Sequence, residues 1–333
     1  MRGLLGSAFG TLAWLRVAAY RRGLLPRARL AGPVVSVGNL GVGGSGKTPV
    51  VARVAEILRD AGRPVAVLSR GYGGTFRGEA LVVSDGSVVL AGAAEAGDEP
   101  VMLARSLPGV VVAVGARRDV VGRAVEARFG RRVHVLDDGF QHLRLERDLD
   151  LVCLDVHDLQ NRPLPAGRLR ERPSALLRAS LVLLTRIEAA SEAELRVLEE
   201  RLSPERTLRV ARRVTGWKTL DGAVAALPAR AFLLAAIARP ERFERDVAAS
   251  GAVVLGRAFF RDHHRFGADD VAGVAARACA AGAEAIVTTA KDAVRLEGAS
   301  FSGVPVVVLG IAAKILDEGR LTARLLSAAG RVA

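Results

Sequence analysis

The residues whose types and spacing most clearly indicate chemistry form a glycine-rich run that ends in lysine and threonine. The run matches the pattern G-x-x-x-x-G-K-[S/T] and comprises Gly41, Val42, Gly43, Gly44, Ser45, Gly46, Lys47 and Thr48. Glycines allow successive backbone N–H groups to converge on a phosphate, the lysine adds a compact positive charge, and the threonine hydroxyl can bind Mg²⁺. A strand-like apolar run precedes it and an amphipathic helical pattern follows it, as this motif requires. The run therefore predicts a nucleotide-binding site that uses Mg²⁺.

The nucleotide expected at this loop is ATP. The sequence contains no N-K-x-D motif of the kind that GTPases use to recognise guanine. Partition ATPases of the ParA type carry a second lysine just after the first glycine of the loop, and Val42 stands at that position here.

Two adjacent carboxylates follow another apolar run. Residues 133–136 are mostly apolar and lead directly into Asp137, Asp138 and Gly139. A carboxylate at the end of a strand beside the phosphate loop can reach the shell of Mg²⁺, and a second can orient a water or the acceptor. The alternative is a solvated turn, in which Asp-Asp-Gly is common. The glycine-rich run favours the metal site.

Short apolar runs alternate with helical patterns over most of the chain, which is typical of a mainly parallel sheet covered by helices on both faces. The expected fold class is α/β, with a P-loop NTPase-like sheet and a second, smaller α/β domain. The predicted strands cover residues 33–37, 64–69, 110–114, 133–136, 149–155 and 181–185, then 207–212, 216–220, 231–237, 252–260, 285–289 and 304–309.

These patterns also predict a division of the chain. We expect a helical N-terminal region at residues 1–30, a kinase core at 31–205, a short β linker at 206–228 and the smaller domain at 229–312. The last segment, 313–333, is expected to be a C-terminal helix that could pack on the core.

Composition limits the classes of protein and of partner. The 333 residues carry a net charge of +13, and 44 of the 48 basic residues are arginine. Since no zinc-finger spacing, RNA-binding aromatic motif or basic-aromatic run accompanies this charge, no nucleic-acid partner is expected. An anionic membrane surface would exploit the same charge. Cys153 and Cys279 lie far apart without metal-binding spacing and are expected to be buried thiols.

Residues 1–30 combine an apolar helical stripe with clustered arginines. Three interpretations compete: a signal peptide, a helix that packs on the core, and a helix that lies on a membrane with its arginines at the headgroups. A nucleotide-binding motif so close behind argues against export. The residues alone leave the other two open, and no uncharged apolar run of about 20 residues predicts a transmembrane helix.

Several further motifs occur in a fixed order around these two sites. They are V-V-S-V-G-N before the glycine-rich run, S-R-G-Y-G at 69–73, A-G-D-E-P at 96–100, L-D-D-G-F-Q-H at 136–142, P-A-G-R-L-R-E at 165–171, A-R-P-E-R-F at 238–243, D-H-H at 262–264 and T-A-K-D-A-V at 289–294. Together they resemble the tetraacyldisaccharide 4'-kinase family over nearly the whole chain. The sequence departs mildly from the family pattern at Ala236 and Ala290, where glycine and glutamate are usual.

The resemblance implies ATP-dependent phosphorylation of the 4'-hydroxyl of tetraacyldisaccharide 1-phosphate to form lipid IVA. It also implies an active site between two domains, peripheral attachment to the cytoplasmic face of the inner membrane, and hence a membrane-associating role for residues 1–30. No obligate protein partner is expected.

The resemblance also assigns roles to individual residues. It places the general base at Asp98, paired with His263 rather than with the adjacent His264. Lys47 is expected to stabilise the transferring phosphate, and Thr48, Asp137, Asp138 and Glu171 are candidates for binding Mg²⁺. Residues expected to line the substrate cleft are Arg70, Tyr72, Gln141 and His142.

Two other functions remain open from the residues. One is a P-loop kinase for another glycolipid or sugar. The other is a nucleotide-driven switch protein, which should lack a base poised for an acceptor hydroxyl and often carries a Cys/His metal cluster.

Overall fold

One continuous β-sheet runs through the residues that the structure, a computed structural model, describes, namely 15–44 and 46–330. Its strands are β1 (Val34–Asn39), β2 (Val65–Ser69), β3 (Leu81–Ser84), β4 (Val111–Val114), β5 (Val133–Asp137), β6 (Leu149–Asp155), β7 (Leu181–Thr185), β8 (Thr207–Thr219), β9 (Val224–Ala225), β10 (Arg230–Ala235), β11 (Val253–Phe259), β12 (Ala285–Thr289) and β13 (Val306–Ile315). Their spatial order is β11-β10-β12-β13-β8-β7-β6-β1-β5-β2-β4-β3, and β9 pairs with β8.

Helices connect most of the strands. They are α1 (Lys47–Asp60), α2 (Ala93–Ala96), α3 (Asp98–Ser106), α4 (Arg118–Phe129), α5 (Glu192–Leu202), α6 (Pro240–Ala249), α7 (Ala268–Ala280), α8 (Ala290–Arg295) and α9 (Glu318–Gly330). Residues 15–21 are also helical. The fold class predicted from the sequence is confirmed, because a mainly parallel sheet alternates with helices along the chain.

The centre of the sheet positions the nucleotide motif. Strand β1 lies between β5 and β6 and pairs in parallel with both. All residues of these three strands are buried, as expected when helices cover both faces of a parallel sheet. Because the three strands run in one direction, the loop after β1 and the carboxylates at the end of β5 emerge at the same edge.

Strand β8 corrects the sequence-based prediction at residues 207–220. Two short strands were expected there, whereas Thr207–Thr219 form one strand of 13 residues. Its first part pairs in parallel with β7, and almost its whole length pairs antiparallel with β13. A register shift beside Gly310 and the positive φ of Gly216 interrupt the apolar alternation, which obscures the strand in the sequence.

Because β13 also pairs with β12, the β8–β13 pair joins the two halves of the sheet. The predicted division into domains at 206–228 and 229–312 stays a prediction.

The C-terminal helix returns to the nucleotide half of the molecule. On α9, Leu321 and Leu325 are fully buried in the same apolar cluster as Val50 and Val54 of α1. At its start, Glu318 accepts hydrogen bonds from Arg53 Nε at 2.8 Å and Nη2 at 2.5 Å. The last helix therefore covers the helix that follows the phosphate loop.

None of the helices within residues 15–44 and 46–330 has the length and apolarity needed to cross a membrane. Most of the apolar stripe predicted in residues 1–30 lies outside the described residues, which begin at Leu15. Beyond the helical turn at 15–21, Leu24 and Leu25 are exposed beside Arg21, Arg22, Arg27 and Arg29.

Candidate active site

A cavity of about 1600 Å³ lies between the phosphate loop and the C-terminal strands. One wall carries Gly43, Lys47 and Thr48 of the loop with Asp137 and Asp138. The opposite wall carries residues that follow β10, β11 and β12 in the chain, among them Arg239, Arg242, Asp262, His263 and Lys291. Most of the sequence-predicted site residues therefore meet at one cavity, although they come from distant parts of the chain.

The phosphate loop connects β1 to α1 through two left-handed glycines. Gly43 has φ 91° and Gly46 has φ 74°, a region that other residues enter at a steric cost. A Cβ atom at Gly43 would lie 2.7 Å from Nη2 of Arg168, which itself donates a hydrogen bond to the carbonyl of Val42. Gly46 directly precedes the first turn of α1, so the positive end of that helix faces the cavity. Ser45 lies outside the described residues.

Lys47 and Asp138 form the most direct contact between the loop and the end of β5. Lys47 Nζ lies 2.5 Å from Asp138 Oδ1, and Arg170 Nη1 donates to Oδ2 of the same carboxylate at 2.7 Å. Burial opposes ionisation of Asp138, but the two cations outweigh it and lower its pKa to about 2. Asp138 is thus a permanently charged partner of Lys47, held in a left-handed conformation with φ 57°.

The pKa of Asp137 is shifted in the direction opposite to that of Asp138. It is buried, Ser69 Oγ donates to its Oδ2 at 3.0 Å, and its Oδ1 has no hydrogen-bond partner among the described residues. Burial raises the pKa of Asp137 well above its usual value, since its charge is poorly compensated. Thr48 lies on the same wall of the cavity. An uncompensated carboxylate oxygen and a hydroxyl beside a phosphate cradle fit Mg²⁺, which takes few protein ligands when it also binds phosphates.

Glu171, the third carboxylate predicted to bind Mg²⁺, is paired with an arginine. Its two carboxylate oxygens accept hydrogen bonds from Nη1 and Nη2 of Arg178, at 2.9 and 3.0 Å. The Arg178 guanidinium also lies over the ring of Phe140, 4.4 Å from its centroid. The bidentate pair occupies both oxygens, so Glu171 is less suited to binding Mg²⁺ than Asp137 is. Within the described residues no cluster of three or more His, Cys, Asp or Glu side chains could hold a metal by itself.

Asp98 and His263, which are 165 positions apart, are in hydrogen-bond contact. His263 Nδ1 lies 3.0 Å from Asp98 Oδ2, and Arg295 Nε is 3.4 Å from the same oxygen. Asp98 is the first residue of α3, where the helix dipole favours a negative charge. His263 has a left-handed φ of 62°, a conformation that residues other than glycine rarely adopt. His263 lines the cavity, whereas Asp98 lies behind it with 11% of its side chain exposed.

The adjacent histidine is held elsewhere. His264 Nε2 lies 2.9 Å from Asp270 Oδ2, and its ring stacks on Phe260 at 4.6 Å. The geometry therefore distinguishes the two histidines in the D-H-H motif: His263 faces Asp98 and the cavity, and His264 packs within the C-terminal half.

Three of the four expected cleft residues line the cavity. They are Arg70, Tyr72, whose ring meets that of His263 edge-on at 5.6 Å, and Gln141, whose amide donates to the carbonyl of Asn39 at 3.0 Å. His142 is not among the described lining residues. Burial, followed by the charge of Arg118, lowers the pKa of His142 to about 4, so it is neutral near pH 7.

Several further basic residues line the cavity without a role predicted from the sequence, and four of them are grouped at the wall opposite the phosphate loop. Arg186, Arg239 and Arg242 all approach Asp155 Oδ2, at 2.7, 3.5 and 3.9 Å. The fourth is Lys291, which lies beside His263. Arg239 and Arg242 belong to the A-R-P-E-R-F motif and Lys291 to T-A-K-D-A-V, two motifs to which the sequence alone gave no role, whereas Arg186 belongs to no such motif.

Comparisons with known proteins agree with this arrangement. A family model described as Tetraacyldisaccharide-1-P 4'-kinase matches residues 3–330. The Tetraacyldisaccharide 4'-kinase of Anaeromyxobacter dehalogenans (strain 2CP-C) is 49% identical over 303 residues, covering 87% of this chain and 79% of the relative. That of Geobacter sulfurreducens is 40% identical over 324 residues, covering 95% and 90%.

A solved structure gives the same result for the fold. The crystal structure of LpxK from Aquifex aeolicus in complex with ATP superposes with a TM-score of 0.80 at 29% identity, covering 98% of this chain and 97% of that one. The family resemblance seen in the sequence motifs is therefore confirmed. The chain belongs to the tetraacyldisaccharide 4'-kinase family.

Proposed function

We propose that this protein transfers the γ-phosphate of ATP to the 4'-hydroxyl of tetraacyldisaccharide 1-phosphate and so forms lipid IVA. The observation that carries the proposal is that one cavity holds both a phosphate cradle, lined by residues 42–44 and 46–48, and the His263 side of a carboxylate–histidine pair. A kinase for an alcohol needs both parts, because a hydroxyl is a weak nucleophile until a base takes its proton.

The cradle binds and polarises the phosphates. The backbone N–H groups around Gly43 and Gly46 and the start of α1 face the β- and γ-phosphates, and Lys47 neutralises their oxygens. Lys47 pairs with Asp138, which holds the ammonium at the end of β5. Arg170 stays on Asp138 and compensates this carboxylate when Lys47 turns to a phosphate.

Thr48 and Asp137 are the residues that would hold Mg²⁺. When bound, Mg²⁺ neutralises charge on the phosphate oxygens. The chain's own contribution is the buried Asp137 carboxylate, whose Oδ2 is held by Ser69 and whose Oδ1 accepts no hydrogen bond from the described residues.

The pair of Asp98 and His263 takes the proton of the acceptor hydroxyl, with Asp98 as the acceptor. His263 lines the cavity and its Nδ1 contacts Asp98 Oδ2, which Arg295 also contacts, so the proton reaches Asp98 by way of the histidine ring. As the new bond from the sugar oxygen to phosphorus forms, the bond from phosphorus to the β–γ bridging oxygen breaks and ADP leaves. The hydroxyl proton passes to the Asp98 carboxylate, which balances the reaction.

Phosphate transfer from γ-labelled ATP to purified tetraacyldisaccharide 1-phosphate tests the function. Labelled lipid IVA is expected, in a reaction that requires Mg²⁺. Label in another glycolipid but not in this one would identify a different kinase. ATP hydrolysis that proceeds equally with and without any acceptor would instead indicate a switch protein.

We also propose that the protein attaches peripherally to the cytoplasmic face of the inner membrane through its N-terminal region. In the described part of that region, exposed Leu24 and Leu25 lie among exposed arginines, an arrangement that suits the interface between acyl chains and anionic headgroups. The exposed arginines are Arg21, Arg22, Arg27 and Arg29.

Deletion of residues 2–22 combined with Leu24→Ser and Leu25→Ser should abolish sedimentation with vesicles that contain anionic lipid. Val224→Ser, at a residue that is 91% exposed on the distant strand β9, is the matched control and should bind like the wild type. Unchanged sedimentation of the truncated variant would mean that this region packs on the protein instead.

A further inference from the structure

The junction between α3 and α8 holds a buried arginine, Arg295. It is the last residue of α8, and its side chain is 6% exposed. Its neighbour Val294 is buried in the same apolar cluster as Val101 of α3, and the two helices pack on each other. A guanidinium is charged at any ordinary pH, and its burial is costly unless its donors are paired. Arg295 therefore needs partners on every side.

Both terminal nitrogens of Arg295 bind the C-terminal half. Nη1 donates to the carbonyl of His264 at 2.7 Å, and Nη2 donates to the carbonyl of Ala236 at 3.0 Å. Nη2 also lies 2.5 Å from Oδ1 of Asp292, a fully buried carboxylate that accepts from the backbone N–H of Ala236. The guanidinium therefore ties the loop after β11 to α8 and to the residue that follows β10.

The third nitrogen of Arg295 faces the nucleotide half. Nε lies 3.4 Å from Oδ2 of Asp98, the oxygen that His263 Nδ1 contacts at 3.0 Å. Nε has no hydrogen-bond partner among the described residues, so its link to Asp98 is the attraction between opposite charges. Such attraction is strong in a buried site, because little water screens it. One guanidinium therefore joins both residues of the pair, which lie in different halves of the molecule.

The same contacts fix the backbone of His263. Its N–H donates to the carbonyl of Ala236 at 3.3 Å, and the carbonyl of the next residue, His264, accepts from Arg295. The left-handed conformation of His263 is costly for a residue other than glycine and persists only where surrounding contacts hold it. Without Arg295, the carbonyls of Ala236 and His264 each lose a donor, and the loop is free to leave this conformation.

We infer that Arg295 is a positioning residue that holds His263 against Asp98 across the junction of α3 and α8. Arg295 is not among the described residues that line the active-site cavity, so it acts on the reaction through the pair. The inference rests on the proposed kinase reaction for its kinetic part only.

Kinetics give the first measurement. Arg295→Gln should lower kcat roughly 10- to 100-fold, within the range that general acid–base catalysis supplies, with KM for ATP changed less than about twofold. In a His263→Ala background it should lower kcat by less than about twofold further, because a residue that acts through the pair then has nothing left to position. Glu297→Gln is the matched control. It breaks the exposed ion pair with Arg105 at the same junction and should match the wild type.

Arg295→Lys is the second variant, for use if Arg295→Gln does not fold. A lysine keeps a positive charge beside Asp292, but its single nitrogen cannot serve two carbonyls and Asp98 together. This variant should keep a cooperative melting curve and lose roughly 5- to 50-fold in kcat, again with little further effect in the His263→Ala background.

The position of the His263 ring can be measured without substrate. The sequence has five histidines, so ¹³C-histidine labelling gives few ring cross-peaks, and His263→Asn assigns those of His263. At one fixed pH, these cross-peaks should shift or broaden in Arg295→Gln and in Arg295→Lys. In Glu297→Gln they should superpose on those of the wild type.

The two measurements separate failure of the inference from failure of the proposed reaction. Unchanged kcat, additive losses from Arg295 and His263, or unmoved His263 cross-peaks in a variant whose melting curve is intact would each overturn the inference. The expected spectra together with no phosphorylation of tetraacyldisaccharide 1-phosphate by the wild type would overturn the proposed function and leave the positioning role of Arg295 standing.

Discussion

Adjacent residues at the end of β5 have opposite tasks. Asp138 is fully charged and pairs with Lys47 and Arg170, whereas the pKa of Asp137 is raised by burial and one of its oxygens lacks a hydrogen bond in the described part of the chain. Asp138 is therefore the counter-ion of the phosphate-loop lysine, and the adjacent Asp137 is the candidate ligand for a cation. Asp137 is the last residue of β5, whereas Asp138 follows the strand with a left-handed φ of 57°.

At the residue scale, the first prediction concerns Lys47. Lys47→Ala should lower kcat at least about 100-fold, because it removes a charge that stabilises the transferring phosphate. Asp138 keeps Arg170 as a partner, so the melting temperature should stay within a few degrees of the wild type. Steady-state rates and thermal melts check both parts, with the exposed Lys314→Ala as the control. Near-wild-type turnover would show that the loop is not part of the phosphate-transfer site.

At the scale of elements, the chain places the start of α6 opposite the phosphate loop. Arg239 and Arg242 flank that start and share Asp155 with Arg186, so three guanidinium groups face one carboxylate at the cavity wall. Burial and the neighbouring Arg186 and Arg239 lower the pKa of Arg242 to about 10, and its Nη2 has no hydrogen-bond partner among the described residues. The surplus of positive charge beside a phosphate cradle fits contact with a bound nucleotide.

The second prediction follows from this cluster. Arg242→Gln should raise KM for ATP about 5- to 20-fold, since it removes a partly desolvated charge from an anion site, and should change KM for the lipid much less. Arg245→Gln, an exposed position on the same helix, is the control. Initial rates at varied ATP measure the effect. Equal KM values for ATP in the two variants would mean that the arginines around Asp155 have a structural role and do not contact the nucleotide.

At the scale of the whole molecule, the last helix of the described chain, α9, packs on α1. After crossing to the C-terminal half through β8 and returning through β13, the chain ends with α9 packed on α1. Apolar burial and an ion pair both join the two helices. Leu325 is fully buried there, whereas the side chains of Arg53 and Glu318 are 29% and 38% exposed.

We therefore expect the apolar contact to dominate. Leu325→Ala should lower the free energy of unfolding by about 2–4 kcal/mol, the usual result of deleting a buried leucine side chain. Glu318→Gln should lower it by no more than about 1 kcal/mol, because exposed ion pairs contribute little. Urea titrations followed by circular dichroism measure both. The reverse ranking would mean that the ion pair, not the cluster, fixes α9 on the nucleotide half.

Local sequence was sufficient for the elements and for the phosphate loop. Buried strands such as β4 and β7 follow from uninterrupted apolar runs, and the loop at 41–48 follows from glycines whose backbone conformations other residues rarely adopt. Both signals come from neighbouring residues, so no long-range contact is needed to recognise them. Strand β8 was misread because its partner β13 is about 90 positions further along and compensates its irregular pattern.

Tertiary structure alone decided which side chains meet. Asp98 and His263 touch only because the β8–β13 pair brings the loop after β11 over the start of α3, and Lys291 reaches the same ring from the helix after β12. The resemblance to a family could name Asp98 and His263, but it gave no partner for Nε2 and no use for the arginines around Asp155. A side chain's charge and donors are fixed by its type, whereas its partners depend on where the folded backbone places residues that are far apart in the chain.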